Sequence, residues 1–331
     1  MESQQDLPHF LPEQEDGDSQ RWGRGKRIGI IGGRGQMGQL FGRFFEAQGY
    51  QVVIADHDAG EGNEEIIKIA DMVLFAVPLH ETVNIIQDLI PYARPEQLLM
   101  DLSSLKVGPV QAMLRSPSSI VGLHPMFGGS ISSFAGQTMV ACPARIDSRE
   151  WGYLRRLFES QGMRIKECTP EKHDYMMSII QVLFHVTTMV TGRVLRELKV
   201  DVAATMEFTS PSYRLEMNLL GRMFAQNPAL YSAITQMNPF TLDVLDHLEA
   251  GLKRYREWYG AADLPAFVSD FKRSAEHLGD FCGLAFEESS ALLDFSVALA
   301  RSRTEDGRPE TEDRSQESGD RSQKIEMRRQ K

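Results

Sequence analysis

The chain has 331 residues, 42% of them hydrophobic, which is enough for roughly two domains with sizeable cores. Its formal net charge of −10 argues against a nucleic-acid-binding surface. The 3 cysteines are scattered without C-x-x-C spacing, so we expect a reducing, cytoplasmic compartment with neither a disulfide framework nor a zinc site.

Residues 1–25 are rich in Gln, Asp, Glu, Ser and Gly and are predicted to form a disordered lead-in. Acidic residues are frequent there, which is unlike a transit peptide. The segment also lacks an apolar core, so it does not indicate a secretory signal.

The next segment has the order strand, glycine turn and helix. Arg27–Ile31 is an apolar run with β-branched residues, and apolar residues recur at helical spacing after the turn. Between them lies G-x-G-x-x-G, whose glycines permit the tight turn, the approach of a pyrophosphate and close helix packing. We therefore predict a dinucleotide-binding turn formed by Gly33, Gly35, Gln36, Met37 and Gly38.

A second predicted strand, Gln51–Ala55, leads directly into Asp56. An acidic residue at this place binds the adenosine ribose hydroxyls and disfavours a 2′-phosphate, which predicts NAD rather than NADP. Arg34 is either solvated or close to that ribose, where it would weaken the preference. The alternative is a ligand-free glycine turn followed by an Asp that caps a loop.

Residues 26–170 alternate between predicted strands and helices, which indicates a Rossmann domain with a doubly wound parallel sheet. The further strands are predicted at Met72–Val77, Gln97–Leu102, Ile120–Leu123, Thr138–Ala141 and Met163–Lys166. Ligands of such sheets bind at the carboxyl ends of the strands. Four residues follow strand ends on the edge that carries the glycine turn: Pro78, Ser103, Ser104 and His124.

Roles for these four residues follow from their chemistry. His124 is predicted to accept a proton from a hydroxyl that loses hydride, the alternative being a buried structural histidine. Ser104 orients that histidine or binds the substrate hydroxyl, or else caps the next helix. Pro78 and Ser103 are predicted cofactor contacts.

Residues 171–300 read as helices without strands, which indicates a separate all-helical domain. Its long apolar stretches, such as Met176–Val190, need a second subunit to cover them, so we predict a homodimer. No uninterrupted apolar run appears long enough to span a bilayer, and we expect no membrane partner. Residues 301–331 form a mixed-charge tail that is predicted to be disordered.

Two arginines in the helical region are candidate anion ligands. Arg214 and Arg222 are eight residues apart, which leaves about 80° between them on a helix. Arg222 stands among apolar residues, and a buried arginine needs an anionic partner. That partner is either a protein carboxylate such as Glu216 or a carboxylate of the substrate.

Two histidines lie near the start of this helical region. His173 and His185 are twelve residues apart, which leaves about 120° between them on an α-helix, so they need not share a face. Neither E-x-x-H nor H-x-x-x-H spacing occurs, so no metal site is expected. We predict a structural role for His173, and the spacing leaves the role of His185 open.

Five stretches of this chain resemble prephenate dehydrogenase, above all the dehydrogenase portion of the bifunctional chorismate mutase/prephenate dehydrogenases of enteric bacteria. They are Gly32–Phe41, Asp101–Leu114, Gly122–Gly128, Glu171–His185 and Ser210–Tyr231. They are spread over the chain between residues 27 and 292. The resemblance implies a Rossmann domain, a helical dimerisation domain and an obligate homodimer.

The resemblance also implies a reaction, the oxidative decarboxylation of prephenate to 4-hydroxyphenylpyruvate with NAD⁺ in tyrosine synthesis. By motif, His124 accepts a hydrogen bond from the ring hydroxyl and Ser104 supports it. Arg222 binds a substrate carboxylate, and His185 lines the substrate pocket. We add Arg214 to the substrate-binding set, because prephenate is a dianion.

Other interpretations stay open at this point. Arogenate dehydrogenase is the first alternative, since arogenate differs from prephenate far from the hydride centre. Another β-hydroxyacid-type dehydrogenase, or a non-catalytic NAD-sensing protein, is disfavoured by the stretches around His124 and Arg222. Residues 1–25 are too short for a mutase domain, so we expect no mutase activity, and any inhibition by tyrosine would act at the substrate pocket.

Overall fold

The structure is a computed structural model that describes residues 23–55 and 62–305, with side chains to residue 302. The predicted lead-in up to residue 22, the acidic residue Asp56 and the tail beyond residue 305 lie outside the described residues. The predicted start of the tail at residue 301 is too early, because the last helix continues to Glu305.

Seven strands form one sheet in the order β2-β1-β3-β4-β5-β6-β7. The strands are β1 Arg27–Ile31, β2 Gln51–Ala55, β3 Met72–Phe75, β4 Leu98–Asp101, β5 Ser119–Pro125, β6 Thr138–Arg145 and β7 Arg164–Glu167. Five helices accompany them: α1 Gln36–Ala47, α2 Asn63–Ile69, α3 Leu79–Leu89, α4 Val107–Met113 and α5 Ser148–Glu159. The predicted doubly wound α/β architecture is confirmed.

The sheet is not parallel throughout, contrary to the prediction. Strands β2, β1, β3, β4 and β5 are parallel, but β6 runs antiparallel to β5, and β7 is parallel to β6. The reason is the connection after β5, which is a loop without a crossover helix, and such a connection returns the chain in the opposite direction. This loop carries the sequence that follows His124.

Helices cover both faces of the sheet. Helices α1 and α5 pack on one face, where Phe41, Phe45 and Leu154 are fully buried against the strands. Helices α2, α3 and α4 pack on the other face through Ile66, Ile86 and Val110. Because helices cover both faces, ligands can reach the sheet at its carboxyl edge. They are expected between β1 and β3, where the strand order reverses and the connections after the two strands run to opposite sides.

One long helix follows the sheet and runs from Pro170 to Glu197. It consists of α6 Pro170–Met177, a π-helical segment Ser178–Leu183 and α7 Phe184–Glu197. By length and composition alone this helix could cross a membrane, a test that core helices of other proteins also pass. His173, Asp174, Met177 and Ser178 in its first turns are buried, and the first two make polar contacts, which is unlike a lipid-facing segment. Most of the other side chains in these turns are exposed in the single chain.

The described chain forms two compact units. The first comprises the residues up to Val186 together with Pro228–Leu248, and the second comprises Thr187–Asn227 and the chain from Glu249 onward. The remaining helices are α8 Val202–Glu207, α9 Pro211–Phe224, α10 Pro228–Met237, α11 Thr241–Ala261, α12 Leu264–Leu278 and α13 Phe281–Glu305.

The division between the units differs from the boundary that we predicted at residue 171. Helix α6 belongs to the first unit because its Asp174 binds the start of α4. Helix α10 belongs there too, since Ala233 and Ile234 pack against Leu79 and Leu105.

Helices of the second unit leave many apolar side chains exposed in the single chain. Phe208 is 89% exposed, Leu198 is 71% exposed and Phe286 is 75% exposed. Within this unit, Ser296 is the one buried residue among those whose side chains are described. A helical unit with no apolar core of its own needs another surface to cover it.

Candidate active site

The glycine turn between β1 and α1 has the geometry of an anion cradle. Gly32 adopts a φ of +80°, and a Cβ on Gly38 would lie 2.5 Å from the carbonyl oxygen of Gly32. Helix α1 begins after Gly35 with no capping side chain and no acidic residue in its first turn. The first N–H groups of the helix, which begins at Gln36, are therefore left for a phosphate. The N–H groups of Gly33 and Gly35 instead bond to the carbonyl oxygens of Ala55 and Gly32, at 3.3 and 3.1 Å. Cofactor contacts of Gly33, Gly35, Gln36, Met37 and Gly38 stay a prediction.

The loop after β5 lies directly over this helix start. A Cβ on Gly129 would come within 2.7 Å of Cβ of Gln36 and 2.9 Å of its carbonyl carbon. Phe134 of the same loop contacts Phe41 and Phe44 of α1, with ring centroids 6.0 and 5.4 Å apart. The loop that follows the strand of His124 is thus held against the turn that would bind the cofactor phosphates.

Other predicted cofactor contacts lie at the margins of this cradle. Arg34 is exposed, and its carbonyl oxygen accepts a hydrogen bond from Nε2 of Gln39. Pro78 is exposed directly before α3, where its carbonyl oxygen accepts from the hydroxyl of Thr82 at 3.0 Å. Asp56 follows β2 and lies outside the described residues, so its contact with a ribose stays a prediction.

Ser103 is committed to a buried polar network after β4. Its hydroxyl bonds to the Asp101 carboxylate and lies 2.7 Å from the carbonyl oxygen of Leu105. The ammonium of Lys106, which is fully buried, pairs with the same carboxylate and donates to the carbonyl oxygen of Leu123 at 2.7 Å. Through Lys106 the network joins the end of β4 to Leu123 of β5. A cofactor contact of the Ser103 side chain stays a prediction.

Ser104 is half-buried, and its hydroxyl makes no hydrogen bond in the part of the chain that the structure describes. The alternative role as a cap for the next helix is wrong, because the N-cap position of α4 is Lys106. The carboxylate of Asp174 binds that helix start instead, at 2.7 Å from the N–H nitrogen of Lys106 and 3.0 Å from that of Val107. The Ser104 hydroxyl therefore remains available for a ligand or for His124.

His124 is the penultimate residue of β5, whereas we predicted that it follows the end of the strand. Its ring is 3% exposed, and its Nδ1 lies 2.8 Å from Nε2 of His173. His173 in turn has Nδ1 2.7 Å from Oδ1 of Asp174. Within the described residues Nε2 of His124 makes no hydrogen bond, so this nitrogen is the one left for a substrate.

Electrostatics keep the two histidines neutral. Burial holds the pKa of His124 well below 6.5, and the neighbouring His173 and Lys106 lower it further. Burial also lowers the pKa of His173, although the hydrogen bond to Asp174 opposes the shift. A neutral imidazole at neutral pH is a proton acceptor, which is the state that a general base requires.

His185 lies at the start of α7, just beyond the π-helical segment. Its ring meets Tyr231 edge to face at 4.9 Å, and its buried Nδ1 has no hydrogen-bond partner among the described residues. A π-turn adds one residue to a helical turn, so the separation from His173 falls from about 120° to about 20°. The two histidines are then expected on one side of the long helix, which the α-helical spacing did not predict.

Arg214 and Arg222 both lie on α9, in the second unit, as predicted. Arg214 is half-buried, but Arg222 is exposed in the single chain. The expectation that Arg222 is buried is therefore wrong for the single chain. Its role as a carboxylate ligand stays a prediction.

Three residues of this site escaped the sequence reasoning. Asp174 orients His173, and Asn238 donates from Nδ2 to the backbone carbonyl of Asp174 at 2.9 Å. Lys106 places a buried positive charge behind His124. The sequence signal for the first was the adjacent pair His173–Asp174. Among the described residues no group of three His, Cys, Asp or Glu could hold a metal ion.

Two family models match most of the chain. Residues 46–167 match the model described as prephenate dehydrogenase, nucleotide-binding domain. Residues 169–273 match the model described as prephenate dehydrogenase, dimerization domain. The border between the two matches lies at the start of α6.

Curated relatives align over nearly the same region. The T-protein of Haemophilus influenzae is 34% identical over 269 residues, which is 81% of this chain and 71% of that protein. The T-protein of Enterobacter agglomerans is 36% identical, over 80% of this chain and 70% of that protein. A probable arogenate/prephenate dehydrogenase of Methanocaldococcus jannaschii is 31% identical over 76% of this chain and 61% of its own length.

Solved structures share the fold. Prephenate dehydrogenase from A. aeolicus, in complex with hydroxyphenyl propionate and NAD⁺, superposes with a TM-score of 0.59 at 18% identity. The match covers 77% of this chain and 98% of that chain. Arogenate dehydrogenase from Synechocystis superposes with a TM-score of 0.57 at 19% identity, covering 75% of this chain and 97% of that chain.

Proposed function

The chain belongs to the prephenate dehydrogenase family, and we propose on this premise that it converts prephenate to 4-hydroxyphenylpyruvate and CO₂ in tyrosine biosynthesis, with NAD⁺ as hydride acceptor. The position of His124 carries the proposal. Its strand ends in the loop that packs on the start of α1, and its free Nε2 belongs to a buried, neutral imidazole. A proton acceptor beside a phosphate-binding turn suits the oxidation of an alcohol.

NAD⁺ is the cofactor in this proposal. The start of α1 has no capping side chain, and the glycines before it leave room for a pyrophosphate to approach the backbone. When bound, it supplies a nicotinamide that takes hydride from the ring carbon bearing the hydroxyl. His124 accepts the proton of that hydroxyl at Nε2. The resulting dienone loses CO₂ to become aromatic, so the chain needs no second acid–base group for this step.

Substrate binding is proposed for residues that are positively charged or that can form hydrogen bonds. Prephenate has two carboxylates, and Arg222 is proposed to bind one of them. Arg214, on the same helix, and His185, with its unpartnered Nδ1, complete the proposed set. Ser104 is proposed to hydrogen-bond His124 or the reacting hydroxyl, since its own hydroxyl is uncommitted.

The protein is proposed to act as a homodimer in the cytoplasm. Exposed apolar side chains of the second unit, among them Phe208 and Leu198, support the dimer, as does the match to a dimerisation domain. Three free cysteines support a reducing compartment.

Arogenate is the second candidate substrate. It carries an amine in place of the side-chain keto group of prephenate, and one relative is described as a probable arogenate/prephenate dehydrogenase. Steady-state assays of the purified protein with prephenate and with arogenate, each with NAD⁺ and with NADP⁺, test the proposal. We expect the highest kcat/KM with prephenate and NAD⁺. Turnover of neither substrate would refute the proposed function, and a preference for NADP⁺ would refute the role of Asp56.

A further inference from the structure

The three buried residues His124, His173 and Asp174 form one continuous chain of hydrogen bonds, which the proposed function uses only at its first member. His124 Nδ1 lies 2.8 Å from His173 Nε2, and His173 Nδ1 lies 2.7 Å from Asp174 Oδ1. The exposed fractions of His173 and Asp174 are 1% and 2%, so no solvent competes for these bonds. A neutral imidazole has one donor nitrogen and one acceptor nitrogen. The direction of one hydrogen bond in the chain therefore determines the direction of the other.

The Asp174 carboxylate sets the direction of the whole chain. It accepts the backbone N–H groups of Lys106 and Val107, at 2.7 and 3.0 Å, at the start of α4. A backbone N–H can only donate, and a carboxylate whose two oxygens both receive such bonds acts here as an acceptor only. His173 must then donate from Nδ1 to Asp174, which leaves its Nε2 as an acceptor. His124 must in turn donate from Nδ1, which leaves its Nε2 with a lone pair.

The surroundings hold this arrangement rigidly. Nδ2 of Asn238 binds the backbone carbonyl of Asp174 at 2.9 Å, and its Oδ1 accepts from the N–H of Phe240 at 2.9 Å. The corner between α10 and α11 thereby fixes the first turns of α6. Lys106, paired with Asp101, stands behind His124 and disfavours a second positive charge there.

We propose that His173 and Asp174 are positioning residues for His124: they hold its proton on Nδ1, aim its Nε2 at the substrate hydroxyl and share the charge that arrives there. This inference rests on the proposed function. When Nε2 of His124 takes the hydroxyl proton, the Nδ1 proton can pass to Nε2 of His173. The imidazolium then formed on His173 lies against the Asp174 carboxylate. The three residues together have then gained one proton, which is the proton that the substrate hydroxyl has lost.

The nitrogen chemical shifts of histidine test the arrangement without substrate or cofactor. In the dimeric full chain labelled with ¹⁵N-histidine, we expect the His124 ring, assigned with His124→Asn, to be protonated at Nδ1 and not at Nε2. Asp174→Asn removes the negative charge opposite His173. Where its amide nitrogen takes the place of Oδ1, it donates to His173 Nδ1 and should reverse both rings, as the wrong tautomer does in a catalytic triad. A wild-type His124 protonated at Nε2 would overturn the proposal.

Kinetics supply the second test. Asp174→Asn should lower kcat by roughly 10²-fold, within the 10²–10⁴ that a general base contributes, with KM little changed. It should also move the acid limb of the kcat profile to lower pH, because a carboxylate that favours the imidazolium has gone. The charged and titratable groups that face the two rings are Asp174, Lys106, Asp101 and, next to Asp174, the thiol of Cys168. The last three are unchanged in this variant.

A matched control separates positioning from general destabilisation. Gln97 is a fully buried carboxamide whose Nε2 donates to the carbonyl oxygens of Ile67 and Ala70, in the same unit but at the opposite end of β4. Gln97→Leu should lower stability but leave the acid limb in place. If Asp174→Asn behaved like this control, with kcat within threefold of wild type, the positioning role would be refuted while the proposed function stood. Failure of both prephenate and arogenate as substrates would instead refute the function and leave the tautomer result intact.

Discussion

Gly129, in the loop after β5, lies against the backbone of Gln36 at the start of α1, so closely that a Cβ on Gly129 would be 2.9 Å from the Gln36 carbonyl carbon. The contact joins the strand that carries His124 to the turn that would hold the cofactor phosphates. Only a residue without a side chain allows this approach.

Gly129→Val should therefore push the loop away from α1. We expect KM for NAD⁺ to rise and kcat to fall, with kcat/KM reduced roughly 10- to 10²-fold, because a misplacement of about 1 Å has effects of this size. Gly128→Val is the matched control, since a Cβ there meets nothing within 4 Å. Equal kinetics for the two variants would show that the contact does not position the site.

His124→Asn removes the proton acceptor but keeps a polar side chain of similar shape. We expect kcat to fall by roughly 10²–10⁴ with KM much less affected. The wild-type kcat should fall at acid pH as His124 is protonated, at a pH below 6.5 because burial lowers its pKa. That limb should be absent from the variant. A kcat near wild type would make His124 a binding residue and His185 the first candidate for the base.

Stability should also depend on the buried histidines. The pKa values of His124 and His173 are lowered in the folded chain, whereas both return to about 6.5 on unfolding. Below pH 6.5 the unfolded chain binds more protons than the folded chain. The free energy of unfolding therefore has its highest value above that pH, and it decreases as the pH falls toward the pKa values of the folded chain.

We expect a loss of about 1.4 kcal/mol per pH unit for each proton taken up on unfolding. Urea denaturation between pH 8 and pH 5 measures it, and His173→Asn should flatten the slope. His277, which is exposed, provides the control: His277→Asn should keep the wild-type slope. Equal slopes for wild type and His173→Asn would contradict the prediction.

Arg222→Ala should raise KM for prephenate strongly and change kcat less, the signature of an interaction present in both ground and transition states. Loss of a charge-assisted carboxylate contact costs about 2–5 kcal/mol, which corresponds to roughly 30-fold or more in KM. Arg193, an exposed arginine paired with Glu197 on α7, is the control, and Arg193→Ala should leave KM unchanged. An unchanged KM for Arg222→Ala would assign the carboxylate to another residue.

Light scattering should give twice the chain mass at micromolar concentration. In the second unit Phe208 is 89% exposed and Leu198 is 71% exposed in the single chain, and these side chains need a partner surface. Replacing both with aspartate should weaken the dimer and lower activity together. A stable, active wild-type monomer would disprove the assignment.

Local sequence was sufficient wherever the structure depends on short-range spacing. The glycine turn, strand β1 and helix α1 lie within residues 27–47, and strand β1 has the bounds predicted for it. Local patterns did not predict a change in strand direction or a change in the period of a helix. Strand β6 is antiparallel because a loop replaces a crossover helix, and the π-helical segment rotates His185 relative to an α-helix.

The sequence by itself determined the α/β class, the glycine turn and, through its motifs, the family and His124 as the candidate base. Only the tertiary structure decided what holds His124. His173 is 49 residues away from it along the chain, and Asp174 reaches the start of α4 across 68 residues. No periodicity records such pairs, since they form only when the long helix packs against the carboxyl edge of the sheet. The role of His173, which spacing suggested to be structural, follows from that packing, because burial without water leaves each polar atom only the partner that the fold supplies.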